Sequence, residues 1–70
     1  MARLSSESID GFASWKGAER IAVENFLSTL DGMTWSEATA NLEYDARSYE
    51  WNAATVRAIQ AGIDINFNGN

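Results

Sequence analysis

The stretch Thr34-Trp35-Ser36-Glu37-Ala38-Thr39-Ala40-Asn41-Leu42-Glu43-Tyr44-Asp45-Ala46-Arg47-Ser48-Tyr49 decides the fold. It opens on a capping box, in which the Thr34 hydroxyl accepts from the Glu37 amide and the Glu37 carboxylate accepts from the Thr34 amide, so two otherwise unpaired donors are satisfied. From there Trp35, Ala38, Leu42, Ala46 and Tyr49 fall on one stripe at helical spacing, and Glu43 and Arg47 make an i, i+4 pair in the favourable order. A second helix is predicted directly after it. Asn52 is its N-cap, Val56 and Ile59 point inward, and Gly62 is expected to stop it.

Outward from this pair the same signals recur with less force. Over residues 6–15, Ser5 or Ser6 serves as N-cap, Glu7 and Asp10 suit the positive end of a helix dipole, and Ile9, Phe12 and Ala13 share a face; Gly11 weakens this helix and Gly17 is expected to end it. Over residues 18–30, Val23, Phe26, Leu27 and Leu30 follow amphipathic spacing, Arg20 and Glu24 pair on the far side, and Gly32 is a candidate C-cap. Beyond Gly62 the period changes to two, with Ile63, Ile65 and Phe67 alternating with Asp64, Asn66 and Asn68, which predicts a short extended segment. The expected fold is therefore all-α: a compact bundle of three to four short helices over residues 1–70, a single small helical domain, with a short C-terminal extended segment.

Composition narrows the function. The 70 residues contain no Cys, no His and no Pro, which removes disulfides, zinc fingers, thiol or imidazole catalysis and proline-rich docking segments. Hydrophobic residues at 46% with eight aromatics argue for a folded chain rather than a disordered one. The first ten residues carry no apolar run of the kind a secretory signal needs, and no window approaches the ~20 apolar residues of a membrane span, so the expectation is a cytoplasmic protein without membrane association. Ten acidic against five basic residues give a formal charge of −5, which favours basic partners over nucleic acid.

Residues 46–59, Ala46-Arg47-Ser48-Tyr49-Glu50-Trp51-Asn52-Ala53-Ala54-Thr55-Val56-Arg57-Ala58-Ile59, resemble the helix-turn-helix pattern: a small Ala, an apolar residue three later, a turn, an Asn cap, then Thr-Val and a further apolar residue. Glu50 stands where the pattern usually has glycine, and Asp45 where it is often apolar. Carried over position by position, the resemblance implies that Ala53, Ala54, Arg57 and also Thr55 face DNA. Asp64-Ile65-Asn66-Phe67-Asn68-Gly69 likewise resembles the opening of an EF-hand calcium loop, but the chain ends at Asn70, before the position of the bidentate Glu, and no metal or cofactor is expected.

No catalytic constellation emerges. Glu43 and Asp45 lie two apart and point to different faces of a helix, Lys16 stands alone beside Gly17, and the five glycines form no phosphate loop. Trp15, Trp35 and Trp51 sit near helix boundaries and are expected to plug corners of the core, with their indole N–H groups on backbone acceptors. Tyr44 lies off the apolar stripe, and with Glu43, Asp45 and Arg47 it forms the candidate partner-binding rim. The favoured function is a small acidic, non-catalytic module that binds a protein partner with a basic surface. In size and acidity it resembles, in type rather than motif, the accessory proteins and inhibitors of phages and mobile elements. The alternatives are a helix-turn-helix DNA-binding regulator and a self-assembling homo-oligomer in which the Ile63, Ile65 and Phe67 segment pairs between subunits.

Overall fold

The computed structural model describes residues 4–9, 11 and 14–67, and the described residues are all-α. A 3-10 turn at Ser6–Ser8 precedes three helices, α1 (Gly17–Ser28), α2 (Trp35–Ser48) and α3 (Ala53–Asn66). None of them is long and apolar enough to cross a membrane.

The two strongest local signals form as expected. The Glu37 amide donates to Thr34 Oγ1 at 3.2 Å and the Thr34 amide donates to Glu37 Oε1 at 3.0 Å, completing the box that starts α2. Asn52 Oδ1 accepts from the Thr55 amide at 2.8 Å and starts α3. Between the two helices the chain reverses at Glu50, which adopts φ 57° and is the one non-glycine among the described residues with positive φ. The Trp51 amide reaches back to the Ala46 carbonyl at 3.0 Å, closing the six-residue hydrogen-bonded turn that a left-handed residue after a helix permits.

That reversal departs from a helix-turn-helix corner. In a helix-turn-helix the two helices cross at about 90–120° and separate from the turn. Here they run side by side. Trp35, at the start of α2, donates through Nε1 to Asp64 Oδ1 in the last turn of α3 at 2.7 Å, and Gln60 Nε2 donates to Thr39 Oγ1 at 3.2 Å. The pairs 35 with 64 and 39 with 60 step one turn in opposite directions along the two helices, which is the register of an antiparallel αα-hairpin. The left-handed residue of the resemblance is present, held by glutamate in place of glycine, but the crossing geometry is not.

Along the seam Ala38 and Leu42 of α2 meet Ile59 and Ile63 of α3, all buried. Helix α1 contributes Val23, Phe26 and Leu27, and Leu30 follows from the turn beyond it. Phe26 meets the edge of Trp51 with ring centroids 5.7 Å apart, which ties α1 to the α2–α3 corner. Leu4 and Ile9 close the core from the N-terminal side. They pack over Gly62, where an added Cβ would lie only 3.1 Å and 3.2 Å from the two Leu4 methyl carbons.

Several expectations are corrected. The helix over residues 6–15 is reduced to the 3-10 turn, because Ile9 leaves it in an extended conformation to enter the core and Gly11 turns the chain at φ 83°. Asp10, Phe12 and Ala13 lie outside the described residues. Gly17, expected to end a helix, opens α1 with φ 58°, and Gly32 lies beyond the α1 C-cap Thr29, turning residues 30–33 at φ 82°. Gly62 does not stop α3; it is a buried interior residue, and the helix continues through Ile63, Asp64, Ile65 and Asn66 to the C-cap Phe67. The extended C-terminal segment is therefore absent among the described residues. Ile63 and Phe67 are buried four apart on one face and Ile65 is exposed, so the alternation belongs to a helix. Asn68 and the residues after it lie outside the described set.

Two substitutions test this architecture by chemical denaturation. Leu42→Ala, at the fully buried centre of the seam, should cost about 2–5 kcal/mol, comparable with the whole stability of a domain this small. Glu50→Gly should instead raise stability by about 0.5–1 kcal/mol by relieving the left-handed backbone.

Candidate functional site

With Ala38 and Leu42 turned into the seam, helical geometry turns Ala40, Glu43, Tyr44 and Arg47 outward, and these four line one open hollow of about 210 Å³. Tyr44 is 71% exposed, an aromatic surface with no structural duty in the core. Glu43 and Arg47 flank it but do not approach within ion-pairing distance; among the described residues the pair that does is Arg20 with Glu24, at 3.6 Å. Asp45 is not part of the hollow. It is half-buried on the adjoining face, and its backbone carbonyl accepts from the Tyr49 amide at 2.8 Å. Three of the four rim residues read from the sequence thus come together, and Ala40 joins them.

The positions implied by the helix-turn-helix resemblance do not assemble as a reading surface. Thr55 is buried, and its amide is taken by the Asn52 cap. Ala53, Ala54 and Arg57 are exposed, and Ala54 and Arg57 line a wider hollow of about 700 Å³ beside α3 with Ser8, Gly11, Ala58, Ala61, Gly62 and Ile65. Small apolar groups dominate that hollow, and Arg57 is the cation among its described lining residues.

The stretch that resembles a calcium-loop opening is helical through Asn66. Asp64 and Asn66 lie on helical backbone; the Asp64 carboxylate accepts from Trp35 and, at 3.0 Å, from Gln60 Nε2, while the Asn66 amide donates to the Gly62 carbonyl at 2.8 Å. Among the described residues no group of three or more acidic side chains gathers as a metal site.

The tryptophans divide. Trp15 is buried, Trp35 is half-buried and uses a carboxylate as acceptor instead of the expected backbone carbonyl, and Trp51 is buried with Nε1 lacking any acceptor. Tyr49 was expected on the core stripe. It stands at the α2 C-cap, 57% exposed, its ring stacked on Trp51 with centroids 5.6 Å apart and planes 14° from parallel. Its place just past the end of the periodic run, beside the turn, is the sequence signal that it does not continue the inward stripe.

Comparison with protein-family models, curated proteins and solved structures gives no match for this chain.

One electrostatic feature is testable here. The hydrogen bond from Trp35, and secondarily that from Gln60, hold the Asp64 carboxyl below its ordinary value against a smaller opposing effect of desolvation. A carboxyl depressed in the folded state stabilises the fold above its unfolded value and loses that contribution as pH falls through the folded value. Asp64→Asn should therefore lower the melting temperature at pH 6, and the gap from the parent protein should close as both are melted at pH values progressively below about 4.

Proposed function

We propose that this chain is a small, acidic, non-catalytic module of the cytoplasm that binds a protein partner through the outward face of α2, with Tyr44 as anchor and Glu43 and Arg47 beside it. The observation that carries the reading is Tyr44 itself: 71% exposed on a helix whose opposite side is committed to the core, and flanked by charges not engaged with each other. Tyr and Arg are the side chains that most often dominate interface energetics, and a rigid helix presents them without loop-ordering cost.

Charge supports a basic partner. Glu7, Glu24, Asp31, Glu37, Glu43, Glu50 and Asp64 are all solvent-exposed, against exposed Lys16, Arg20, Arg47 and Arg57, and the formal charge is −5. Such a field speeds encounter with a positive surface and repels duplex DNA. A positive groove that otherwise holds nucleic acid is a surface of the right sign for such a module to occupy.

The DNA-binding reading has less support, because α3 lies along α2 and turns Thr55 inward, leaving Ala53, Ala54 and a single Arg57 where direct readout requires several hydrogen-bonding side chains. Self-assembly through an extended tail loses its basis with Ile63 and Phe67 buried in α3 and at its cap.

The test is affinity capture from source lysate after nuclease treatment, run in parallel with Tyr44→Ala and Glu43→Lys. A partner retained by the parent protein and reduced at least tenfold with Tyr44→Ala is the expected result, on the scale of about 2 kcal/mol for an interface hot spot. Glu43→Lys should chiefly slow association. Capture that disappears with nuclease and depends on Arg57 instead would overturn the proposal in favour of DNA binding.

A further inference from the structure

The α2–α3 corner faces the first turn of α1 across a recess of about 180 Å³ lined by Ala18, Glu19, Ala22, Tyr49, Glu50 and Trp51. At about 30 Å³ per water that is room for several water molecules or for the planar head of one side chain. Its composition differs from that of the hollow on α2: among the described residues it has two carboxylates, two aromatic rings, two alanine methyl groups and no cation. Ala18 and Ala22, one turn apart on α1, keep that wall low, and Tyr49, an exposed residue, lies flat on Trp51. Glu50 stands at the mouth because the turn residue there carries a side chain where glycine would carry none.

A second, independent feature marks this corner. Trp51 lines the recess and is only 9% exposed, and its Nε1 is the buried side-chain polar atom among the described residues that has no hydrogen-bond partner. Buried donors are almost always satisfied, so an indole N–H without an acceptor, on a residue that lines the recess, sets this corner apart from the rest of the core.

We propose that this recess receives an arginine side chain of a basic protein partner, its guanidinium stacked on the exposed face of Tyr49 between Glu19 and Glu50. The planar guanidinium stacks on an aromatic face, is weakly hydrated, and matches carboxylates with its fork of donors, whereas an ammonium offers only a point charge. The inference rests on the reading of the chain as a binder of basic surfaces and adds to it a second contact at the C-terminal end of the same helix that carries Tyr44.

The experiment titrates the isotope-labelled protein with acetyl-arginine-methylamide and follows the three indole N–H signals by NMR, with the neutral isostere acetyl-citrulline-methylamide as control. The Trp51 signal should move saturably with the arginine probe and not with citrulline, while Trp15 and Trp35 stay in place and report that the fold is intact. The double variant Glu19→Gln/Glu50→Gln should weaken the effect by about three- to tenfold and Tyr49→Leu by about threefold. Equal shifts with citrulline, a titration unchanged in the double variant, or shifts at the Tyr44 hollow alone would overturn the proposal. Because the probe needs no natural partner, a silent recess alongside Tyr44-dependent capture refutes only this inference, and a responsive recess without any capture refutes only the function proposed above.

Discussion

A chain of 70 residues has too little interior to form a core from helices that splay apart, so the direction in which α3 leaves α2 decides whether there is a core at all. That direction is set by one backbone conformation. Glu50 takes the left-handed region, the Trp51 amide returns to the Ala46 carbonyl, and α3 is laid back along α2 in antiparallel register. The seam of Ala38, Leu42, Ile59 and Ile63 and the contact of Trp35 with Asp64 at its far end both follow from that reversal. So does the surface: once one side of α2 is committed to the seam, Tyr44 has nowhere to go but out.

The same corner is where the molecule departs furthest from the most economical solution. Glycine would hold the left-handed turn with less strain, and a phenylalanine at position 51 would leave no donor unpaired, yet the chain has Glu50 and Trp51. Strained or unsatisfied groups persist where surrounding structure holds them, and they concentrate at positions that bind or react. Here they adjoin an exposed aromatic ring and a second carboxylate. The hollow at Tyr44 on α2 and the recess beyond the end of that helix therefore differ distinctly in chemistry.

What was legible in the sequence was what is decided locally. The capping box at Thr34 and Glu37 and the cap at Asn52 depend on side chains reaching amides three residues away, and both helix starts fall where those signals put them. The tail was misread because Ile63, Ile65 and Phe67 satisfy a period of two as well as a helical one, and only the seam with α2 selects the latter. By intrinsic propensity Gly62 reads as a stop, whereas the space its absent side chain leaves is filled by Leu4, a residue 58 positions away that no local pattern connects to it. Residues 6–9 lost their helix to the same long-range contact, which draws Ile9 inward. Of the candidate rim, Glu43, Tyr44 and Arg47 were readable as residues off the apolar stripe; Asp45 and Tyr49 were not, since their placement depends on how α2 ends against α3.

The packing of Leu4 and Ile9 over Gly62 also bears on the order in which the protein is made. A ribosome delivers Leu4 well before Gly62, and at about 5–20 residues per second the interval is roughly three to twelve seconds. The residues of α1 and α2 are made during that time, but the Gly62 surface over which Leu4 and Ile9 pack does not yet exist. The nascent chain must wait with those apolar groups uncovered, and the repulsion between its excess acidic residues favours keeping neighbouring unfinished copies apart.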